Sequence, residues 1–393
     1  MPKTKIYYIT RSYYPYQKEG GPMMRSGAVK YLRELGWDVE VIMPNYKSNQ
    51  FNLDTKAQIT QIPLNQIHKI AFFFEKVGFY EDYLDKWVDT AYAYLKNVIK
   101  SDDIIISTSG GELGTIKLGS LLKRKINCKF VINFRDPVNN TLVNGLKVNT
   151  KFYVSREQVE KKYLSNADLV ITSSEYYKRV LQNKYKNIKD YMYNNYFGFI
   201  KETDISKFTK TKSKKLRIAY TGSMLSSVQK PEILIDVFNR LKNQDNVEIY
   251  FIGKYKNNKA LVKIANPNIK FIELLPHNEF LKFMCENIDV GFLSLSKDYY
   301  GACVPSKLYE YINLGLPIIG ALPCGDAHNI INENKYGISC KYNDINSLVD
   351  AVEDFKDKKF INQCVNKVLK DRKIWSMENK ILEVDNLLKG LNT

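Results

Sequence analysis

The segment GACVPSKLYEYINLGLPIIG, residues 301–320, combines residue types that can hold a phosphate beside a hydroxylated group. Pro305 and Ser306 are favoured at a helix start, where free backbone N–H groups and the helix dipole attract anions. Lys307 adds a full positive charge. Glu310 falls one turn later on the same helix face, where its carboxylate can accept hydrogen bonds from ribose hydroxyls. A capped surface helix with a Lys307–Glu310 ion pair has the same spacing, so both interpretations stay open.

The loop after the first predicted strand contains Gly20 and Gly21 directly before a predicted helix. Glycines at this position let the backbone approach a phosphate or a sugar, but plain turn glycines fit the same pattern. Arg25 lies one turn into the helix, where it reaches the same space or stays on the surface. The loop has no GxGxxG dinucleotide fingerprint, so it is weak evidence for a ligand by itself.

Arg135 and Asp136 directly follow the predicted strand KFVINF. At the carboxyl end of a strand, Asp136 can orient a sugar hydroxyl or act as a base, and Arg135 can bind an anion. A structural ion pair between the two is the alternative. We take Asp136 as the candidate functional group of this loop.

Two loops in the second half of the chain suit a nucleotide. Gly222 and Ser223 follow a predicted strand, and Lys230 lies near the next helix start. A glycine, a hydroxyl and a lysine together suit a pyrophosphate. Leu275 and Pro276 follow another predicted strand and can present backbone groups to the edge of a base.

The elements that must position these residues alternate regularly along the chain. Apolar, β-rich runs separated by amphipathic stretches predict parallel α/β sheets, in which ligands bind beyond the carboxyl ends of the strands. We therefore predict two doubly wound, Rossmann-like domains, at residues 1–200 and 216–365, joined by a lysine-rich linker at 201–215. The runs are residues 5–10, 38–43, 103–108, 129–134 and 168–173, then 216–222, 247–253, 269–275, 290–296 and 316–322.

Length and composition exclude several classes of protein. The chain has 393 residues, enough for two or three domains of about 150 residues. With 44% hydrophobic and 26% charged residues it is not a largely disordered protein. No apolar stretch approaches the roughly 18 residues of a membrane span. The six cysteines form no C-x-x-C pair and the chain has three histidines, so we expect no metal site, no disulfide framework and a cytoplasmic location.

The excess of 59 basic over 42 acidic residues gives a formal net charge of +17 and favours an anionic partner. Nucleic acid, an anionic membrane surface and a diphosphate ligand are all candidates. The lysines are spread along the chain without a zinc finger or an RNP-like motif, so we do not expect a dedicated nucleic-acid module. The codon bias of an A+T-rich genome explains part of the excess.

Residues 68–88, HKIAFFFEKVGFYEDYLDKWV, are unusually aromatic and contain several lysines. One interpretation is peripheral docking on the inner face of the cell membrane, with Phe72, Phe73, Phe74 and Trp87 as apolar anchors. The alternative is that these aromatic side chains pack inside the first domain.

Several motifs together resemble the retaining GT-B glycosyltransferases of family 4, especially bacterial enzymes that build surface polysaccharides. In the first domain the similar segments are YYP…GGP…R, DIIISTSG, FRDP and ADLVITSS; in the second they are IAYTGSM, YFIGKY and PSKLYEYINLGLPIIG, of which the last is the most specific. Trp375-Ser376 resembles the aromatic landmark at which the C-terminal helix of such enzymes, here within residues 366–393, crosses back to the first domain.

This resemblance implies two domains facing a cleft, with a sugar nucleotide bound mainly by the second domain and a glycan or lipid-linked acceptor bound mainly by the first. It implies that Glu310 holds the ribose, that Lys307 lies beside the diphosphate, and that no metal and no cofactor beyond the donor are needed. The implied catalytic residues are Asp136, Lys307 and Glu310. The implied acceptor-side residues are Arg135 and Asp136. The implied donor-binding residues are Gly20, Gly21, Arg25, Gly222, Ser223, Lys230, Leu275, Pro276, Pro305, Ser306, Lys307 and Glu310.

The chain departs from the family pattern at three positions. Ala302 stands where the first glutamate of the E-x7-E motif is expected, Ser223 replaces the phosphate-binding arginine, and Lys230 is displaced by a short insertion. Three alternatives therefore remain: a sugar-nucleotide 2-epimerase of the same fold, a catalytically inactive GT-B scaffold, and a basic nucleic-acid-binding protein. The scarcity of histidine argues against the epimerase.

Overall fold

The structure is a computed structural model that describes residues 4–14, 20–45, 57–64, 67–138, 142–143, 146–147 and 160–391. The chain divides into two compact units. The first consists of Met1–Ile200 with Met377–Thr393, and the second of Lys201–Ser376.

The first unit is built on a seven-stranded parallel sheet in the order β3-β2-β1-β4-β5-β8-β9. Its strands are β1 (Lys5–Ile9), β2 (Asp38–Asn45), β3 (Gln58–Pro63), β4 (Ile104–Gly110), β5 (Lys129–Asp136), β8 (Leu169–Thr172) and β9 (Met192–Asn194). A separate antiparallel pair is formed by β6 (Leu142–Val143) and β7 (Leu146–Lys147). The helices are α1 (Gly20–Glu34), α2 (His68–Val77), α3 (Asp85–Leu95), α4 (Gly114–Ile126) and α5 (Glu175–Lys184).

The second unit has a six-stranded parallel sheet in the order β12-β11-β10-β13-β14-β15. Its strands are β10 (Leu216–Gly222), β11 (Val247–Gly253), β12 (Ile269–Ile272), β13 (Val290–Ser294), β14 (Ile318–Leu322) and β15 (Gly337–Lys341). Its helices are α6 (Ile233–Arg240), α7 (His277–Asn287), α8 (Ser306–Asn313), α9 (Asp326–Glu333), α10 (Ile345–Asp354) and α11 (Lys358–Asp371); α12 (Met377–Gly390) belongs to the first unit.

Strands β13 and β14 are buried along their whole length, as expected for a parallel sheet covered on both faces. The core of each unit therefore lies between the sheet and its helices. The prediction of two doubly wound, Rossmann-like α/β domains is confirmed.

Residues 201–215, predicted as an interdomain linker, belong to the second unit. The backbone N–H of Thr203 donates to Asn313 Oδ1 at 3.0 Å, and the amide of Asn313 donates to the carbonyl of Lys201 at 2.9 Å. Further along, the N–H of Thr211 donates to the carbonyl of Glu286 at 2.8 Å. The lysine-rich, weakly patterned composition predicted a linker, but these hydrogen bonds fix the segment to the unit that follows.

The segment that returns to the first unit starts later than the predicted residue 366. Residues 366–371 complete α11 in the second unit, and the first unit resumes only at Met377. There the N–H of Met377 donates to the carbonyl of Phe199 at 2.8 Å, and in α12 the carboxylate of Asp385 accepts a 2.8 Å hydrogen bond from Trp37 Nε1.

Helix α8, which carries the candidate residues Lys307 and Glu310, packs unusually close to the sheet. A Cβ atom added to Gly291 of β13 would lie 2.5 Å from the ring of Tyr311 in α8, so only glycine allows this approach. The buried Tyr311 hydroxyl lies 3.2 Å from Thr221 Oγ1 and 3.2 Å from the carbonyl oxygen of Phe292. These contacts hold the start of α8 at the carboxyl end of β10.

Candidate functional site

Lys307 extends over the carboxyl end of β10. A Cβ atom added to Gly222 would lie 3.2 Å from Lys307 Cε. The Lys307 ammonium lies 3.1 Å from the hydroxyl of Tyr220, 3.5 Å from the carbonyl oxygen of Ser223 and 4.7 Å from the centroid of the Tyr220 ring. These neighbours are neutral, so the charge of Lys307 stays available to an anion at this edge of the sheet.

Beside Lys307, no side-chain cap from the described residues occupies the first backbone N–H groups of α8. Pro305 precedes the helix and supplies no side-chain cap, and Ser306 at the first helical position is exposed. Glu310 is only partly exposed, and its carboxylate accepts no hydrogen bond from any described residue. No ion pair joins Lys307 and Glu310, so the sequence alternative of a paired surface helix is not observed in the described part of the chain.

Burial shifts the pKa values of both charged residues toward neutrality. Loss of solvent raises the pKa of the Glu310 carboxyl to about 7, with the charge of Lys307 partly opposing the shift. Loss of solvent likewise lowers the pKa of the Lys307 ammonium to about 8, with Glu310 partly opposing it. Unpaired, poorly solvated charges of this kind are typical of functional sites, because a ligand can supply the missing interactions.

Two glycines leave the backbone at the carboxyl ends of β10 and β11, next to Lys307, without side chains. Gly222 and Gly253 end the neighbouring strands β10 and β11 with φ angles of +85° and +133°. A Cβ atom added to Gly253 would lie 2.5 Å from the carbonyl oxygen of Gly222, and the N–H of Lys254 donates to that oxygen at 3.2 Å. A ligand can therefore approach the backbone below Lys307 directly.

The other predicted residues of the second unit are less closely associated with Lys307. Ser223 is exposed, although its carbonyl lies near Lys307. Lys230 is exposed in a turn with a φ angle of +44°, and its side chain forms no hydrogen bond with the described residues. Leu275 and Pro276 precede α7 and follow β12, which is the edge strand two positions from β10.

Charged side chains converge in the first unit at the carboxyl ends of β1, β4 and β5. A Cβ atom added to Gly110 would lie 3.0 Å from Arg25 Nη2, 3.4 Å from Arg11 Nη2 and 3.5 Å from Asp136 Oδ2. A Cβ atom added to Gly21 would lie 3.8 Å from Arg25 Nη1, and Gly20 begins α1. The predicted residues Gly21, Arg25 and Asp136 therefore share one location.

Glu112 belongs to this cluster, although we did not predict it. Its carboxylate accepts a 2.9 Å hydrogen bond from the N–H of Gly110 and lies 3.2 Å from Arg11 Nε. Burial raises the pKa of the Glu112 carboxyl, and the charges of Arg11 and Arg25 oppose the shift. Arg25 donates to the hydroxyl of Ser12. In the described part of the chain, Arg25 Nε and Glu112 Oε1 are buried without a hydrogen-bond partner.

Arg135 does not join this cluster. Its guanidinium carbon lies 3.1 Å from the ring centroid of Phe197, and the residue is buried, whereas Asp136 is exposed. Successive residues of a strand point to opposite faces, which separates the two side chains and explains why they form no ion pair with each other. The predicted anion-binding role of Arg135 is therefore not supported by a position in the cluster.

Three further observations concern Ala302, metal-binding groups and membrane-spanning helices. Ala302 is buried in the short turn Asp298–Ala302 just before α8. Among the described residues no group of three or more His, Cys, Asp or Glu side chains is placed to hold a metal ion. In the same part of the chain, no helix combines the length and the apolar character needed to span a membrane.

Of the four predicted membrane anchors, Trp87 is fully buried in α3, so it cannot insert into a membrane and that prediction is wrong. Phe72 and Phe73 of α2 are 46% and 59% exposed. Phe74 is intermediate and packs against Phe79, which is itself 80% exposed. The aromatic residues thus divide between the core and an exposed patch.

The two units have the fold of GT-B glycosyltransferases. The lipopolysaccharide outer core galactosyltransferase WaaB in its apo form matches with a TM-score of 0.70 and 14% identity, over 98% of this chain and 99% of that one. HepE from Anabaena, in complex with UDP-glucose, matches with a TM-score of 0.65 and 12% identity, over 98% and 99%. A glycosyltransferase from Rickettsia africae matches with a TM-score of 0.64 and 17% identity, over 99% and 100%. The predicted resemblance to GT-B glycosyltransferases is confirmed.

The sequence of the second unit carries the more specific similarity. Residues 215–357 match the model of the family Glycosyl transferases group 1. This range runs from β10 through α10 and includes Lys307 and Glu310. A search of the curated proteins finds no match to the chain.

The raised pKa of Glu310 predicts a defined pH dependence of stability. Between its ordinary value of 4.5 and about 7 the folded state keeps a proton that the unfolded state releases, so unfolding becomes easier as the pH rises through this window. We expect wild type to lose up to about 3 kcal/mol of unfolding free energy relative to Glu310→Gln across it. Urea denaturation at a series of pH values measures the difference. Glu279→Gln, at an exposed position of α7, is the matched control; a pH-independent difference for Glu310→Gln would contradict the prediction.

Proposed function

We propose that this protein is a retaining glycosyltransferase that moves a sugar from a nucleoside diphosphate sugar to a glycan or lipid-linked acceptor in surface polysaccharide biosynthesis. The observation that carries the proposal is the pair Lys307 and Glu310: both are partly buried, neither pairs with the other, and both lie at a helix start within the region that matches a glycosyltransferase family.

In the proposed donor site, Glu310 in its ionised form accepts hydrogen bonds from the ribose hydroxyls. Lys307 and the first backbone N–H groups of α8 bind the diphosphate, whose negative charge grows as the bond to the sugar breaks. Donors fixed in place before the reaction stabilise that charge without reorganisation, which is the usual source of the largest catalytic contribution. Gly222 supports this arrangement because it leaves the backbone under Lys307 open. The charge of Lys307 takes the role that a metal ion plays elsewhere.

In the first unit we propose that Asp136 orients the acceptor hydroxyl. It is exposed at the end of β5, and Arg25 lies beside it under the start of α1, close to Gly21. The buried Glu112 forms an ion pair with Arg11 and so fixes the position of the Arg11 guanidinium in the cluster. We propose transfer on one face of the sugar, with retention of its anomeric configuration and without a covalent enzyme intermediate.

Similar proteins support the class of donor and the pathway. Anabaena HepE has been solved in complex with UDP and with UDP-glucose, and WaaB is a galactosyltransferase of the lipopolysaccharide outer core. A second candidate, a GT-B scaffold that binds a sugar nucleotide without turning it over, is favoured by Ala302, which has no carboxylate for the donor sugar.

Donor binding is tested by thermal unfolding with a panel of nucleoside mono- and diphosphates. A diphosphate at about 100 times its Kd should stabilise wild type by about 2.7 kcal/mol. Glu310→Ala should abolish most of that gain, since the ribose contact is lost, whereas Glu279→Ala should retain it. If no nucleotide stabilises wild type at millimolar concentration, the transferase proposal fails. If the Glu310→Ala protein responds like wild type, the assigned role of Glu310 fails.

Catalysis is tested with Lys307→Ala and the donor sugar of the diphosphate that binds. Loss of a preorganised charge to the leaving group should lower kcat by about a hundredfold or more. Lys242→Ala, which removes an exposed lysine at the far end of the same unit, should leave turnover unchanged. Unchanged kcat in Lys307→Ala removes this residue from the mechanism. If wild type binds the sugar nucleotide but shows no turnover, the second candidate function, an inactive GT-B scaffold, is supported.

We propose further that the exposed patch on α2 and the turn after it docks on an anionic membrane, where a lipid-linked acceptor resides. The patch consists of Ile67, Ile70, Phe72, Phe73, Val77 and Phe79, all at least 46% exposed. Apolar side chains of this density on a protein surface usually mark an interaction site, and the net charge of +17 adds attraction to anionic lipid.

Flotation with phosphatidylglycerol-containing liposomes tests the docking. Wild type should float with the vesicles, less so at high salt, and Phe73→Ser with Phe79→Ser should reduce binding at least about tenfold because two large apolar side chains no longer insert. Leu35→Ser with Tyr94→Ser, at exposed positions elsewhere in the first unit, is the matched control. Equal flotation of both double variants, or no flotation of wild type, would rule out this surface.

A further inference from the structure

A cavity of about 580 Å³ lies at the opposite edge of the second unit's sheet from Lys307 and Glu310. Leu216, the first residue of β10, and Asp289, which precedes β13, both line it, so it opens at the amino ends of the strands. Its volume is in the range of small-molecule sites, roughly 300–1,000 Å³. The proposed donor site does not extend to this edge, so the cavity has no role in the function proposed above.

The cavity lining combines polar residues with a set of aliphatic and aromatic side chains. Gly315, in the turn after α8, has a φ of +68°, and an added Cβ would lie 2.8 Å from Leu369 Cδ2 in α11; both residues line the cavity. The apolar lining includes Phe208, Leu314, Leu316, Phe355, Ile361 and Leu369. A surface of this kind is suited to a flexible hydrocarbon chain.

The rim is strongly basic. Its lysines are Lys210, Lys214, Lys215, Lys356 and Lys358. Three of them are engaged: Lys210 donates to the carbonyl of Ile288, Lys215 to Asn268 Oδ1 at 2.7 Å, and Lys356 to Glu353 Oε1 at 2.8 Å. Lys214 and Lys358 form no side-chain hydrogen bond or ion pair with the described residues. They are the charges available to a ligand.

Asp289, the acidic residue of the lining, lies 3.7 Å from Lys210 Nζ through Oδ1 and offsets part of the rim charge, but it forms no ion pair with Lys214 or Lys358. Asp289 is held by Arg217 in a bidentate pair, with Nε at 3.0 Å from Oδ2 and Nη2 at 2.9 Å from Oδ1. Ammonium groups only donate hydrogen bonds, so the donor groups of a sugar or a base would find few acceptors among the charged residues here. An anionic headgroup accepts from lysine, and a hydrocarbon chain needs no polar partner.

We propose that this cavity binds an anionic amphiphile, a single acyl chain ending in a carboxylate or a phosphate. The chain lies against the apolar wall formed by α11 and the turn after α8. The headgroup lies at the rim between Lys214 and Lys358. There its negative charge pairs with the two ammonium groups that form no ion pair with the described residues.

Isothermal titration with oleate and with 1-oleoyl-lysophosphatidate, each below its micelle concentration, tests the proposal and distinguishes the two headgroups. At least one should bind saturably with a stoichiometry of one, and uncharged monoolein should bind at least about tenfold more weakly. Lys214→Glu with Lys358→Glu should weaken the anion by a similar factor. Lys212→Glu with Lys359→Glu reverses two neighbouring exposed lysines outside the lining and should have little effect.

A second readout locates the bound ligand. Cys285 lines the cavity and is partly exposed, whereas Cys324 is exposed after β14 and does not line it. A saturating anion should slow the alkylation of Cys285 by iodoacetamide and leave that of Cys324 unchanged. The proposal is overturned if neither anion binds saturably, if monoolein binds as tightly, if both double variants respond alike, or if binding leaves Cys285 unprotected.

Discussion

The close packing of α8 against β10 and β13 is the constraint on which the candidate donor site depends. Gly291 admits the ring of Tyr311, whose hydroxyl is shared among Thr221 and two backbone carbonyls of the sheet. A side chain at position 291 would push the helix outward, and the first turn of α8 would move with it. Because Lys307 lies on that turn and Glu310 on the next, their position relative to the end of β10 is set by a contact that neither of them makes.

This close packing explains how two partly buried charges remain without pairing to each other. In a flexible segment, Lys307 and Glu310 would turn to solvent or to each other, since poorly solvated charges are costly. Here the neutral Tyr220 ring and hydroxyl lie against Lys307, and the helix holds Glu310 beside it. The resulting shifts of both pKa values toward neutrality reflect a site whose missing interactions are left for a ligand. The same packing that stabilises the unit therefore holds the candidate donor site in place.

The fold was largely readable from the sequence because buried parallel strands are continuous apolar runs. Each of the ten predicted runs overlaps a strand of one of the two sheets. In the two parallel sheets, the strands that escaped prediction are β3, β9 and β15, which are short or partly exposed and lie at sheet edges, where burial imposes a weaker pattern. Segment 201–215 was misassigned for a related reason: its order comes from hydrogen bonds to Asn313 and Glu286, which are distant in sequence.

The charged cluster in the first unit could be predicted only in part from local sequence patterns. Gly21, Arg25 and Asp136 were identified from strand ends and glycines, but the residue that organises the charges, Glu112, lies in a glycine-flanked turn with no recognisable motif. Arg135 was predicted as an acceptor-side residue together with Asp136, but the alternation of side chains along the strand places its guanidinium against the ring of Phe197. Because Gly110 has no side chain, Arg11, Arg25 and Asp136 can meet from two strands and a helix. The cluster forms because Gly110 leaves room for three side chains that are distant in sequence. It can therefore be recognised only when the three-dimensional arrangement of the sheet is known.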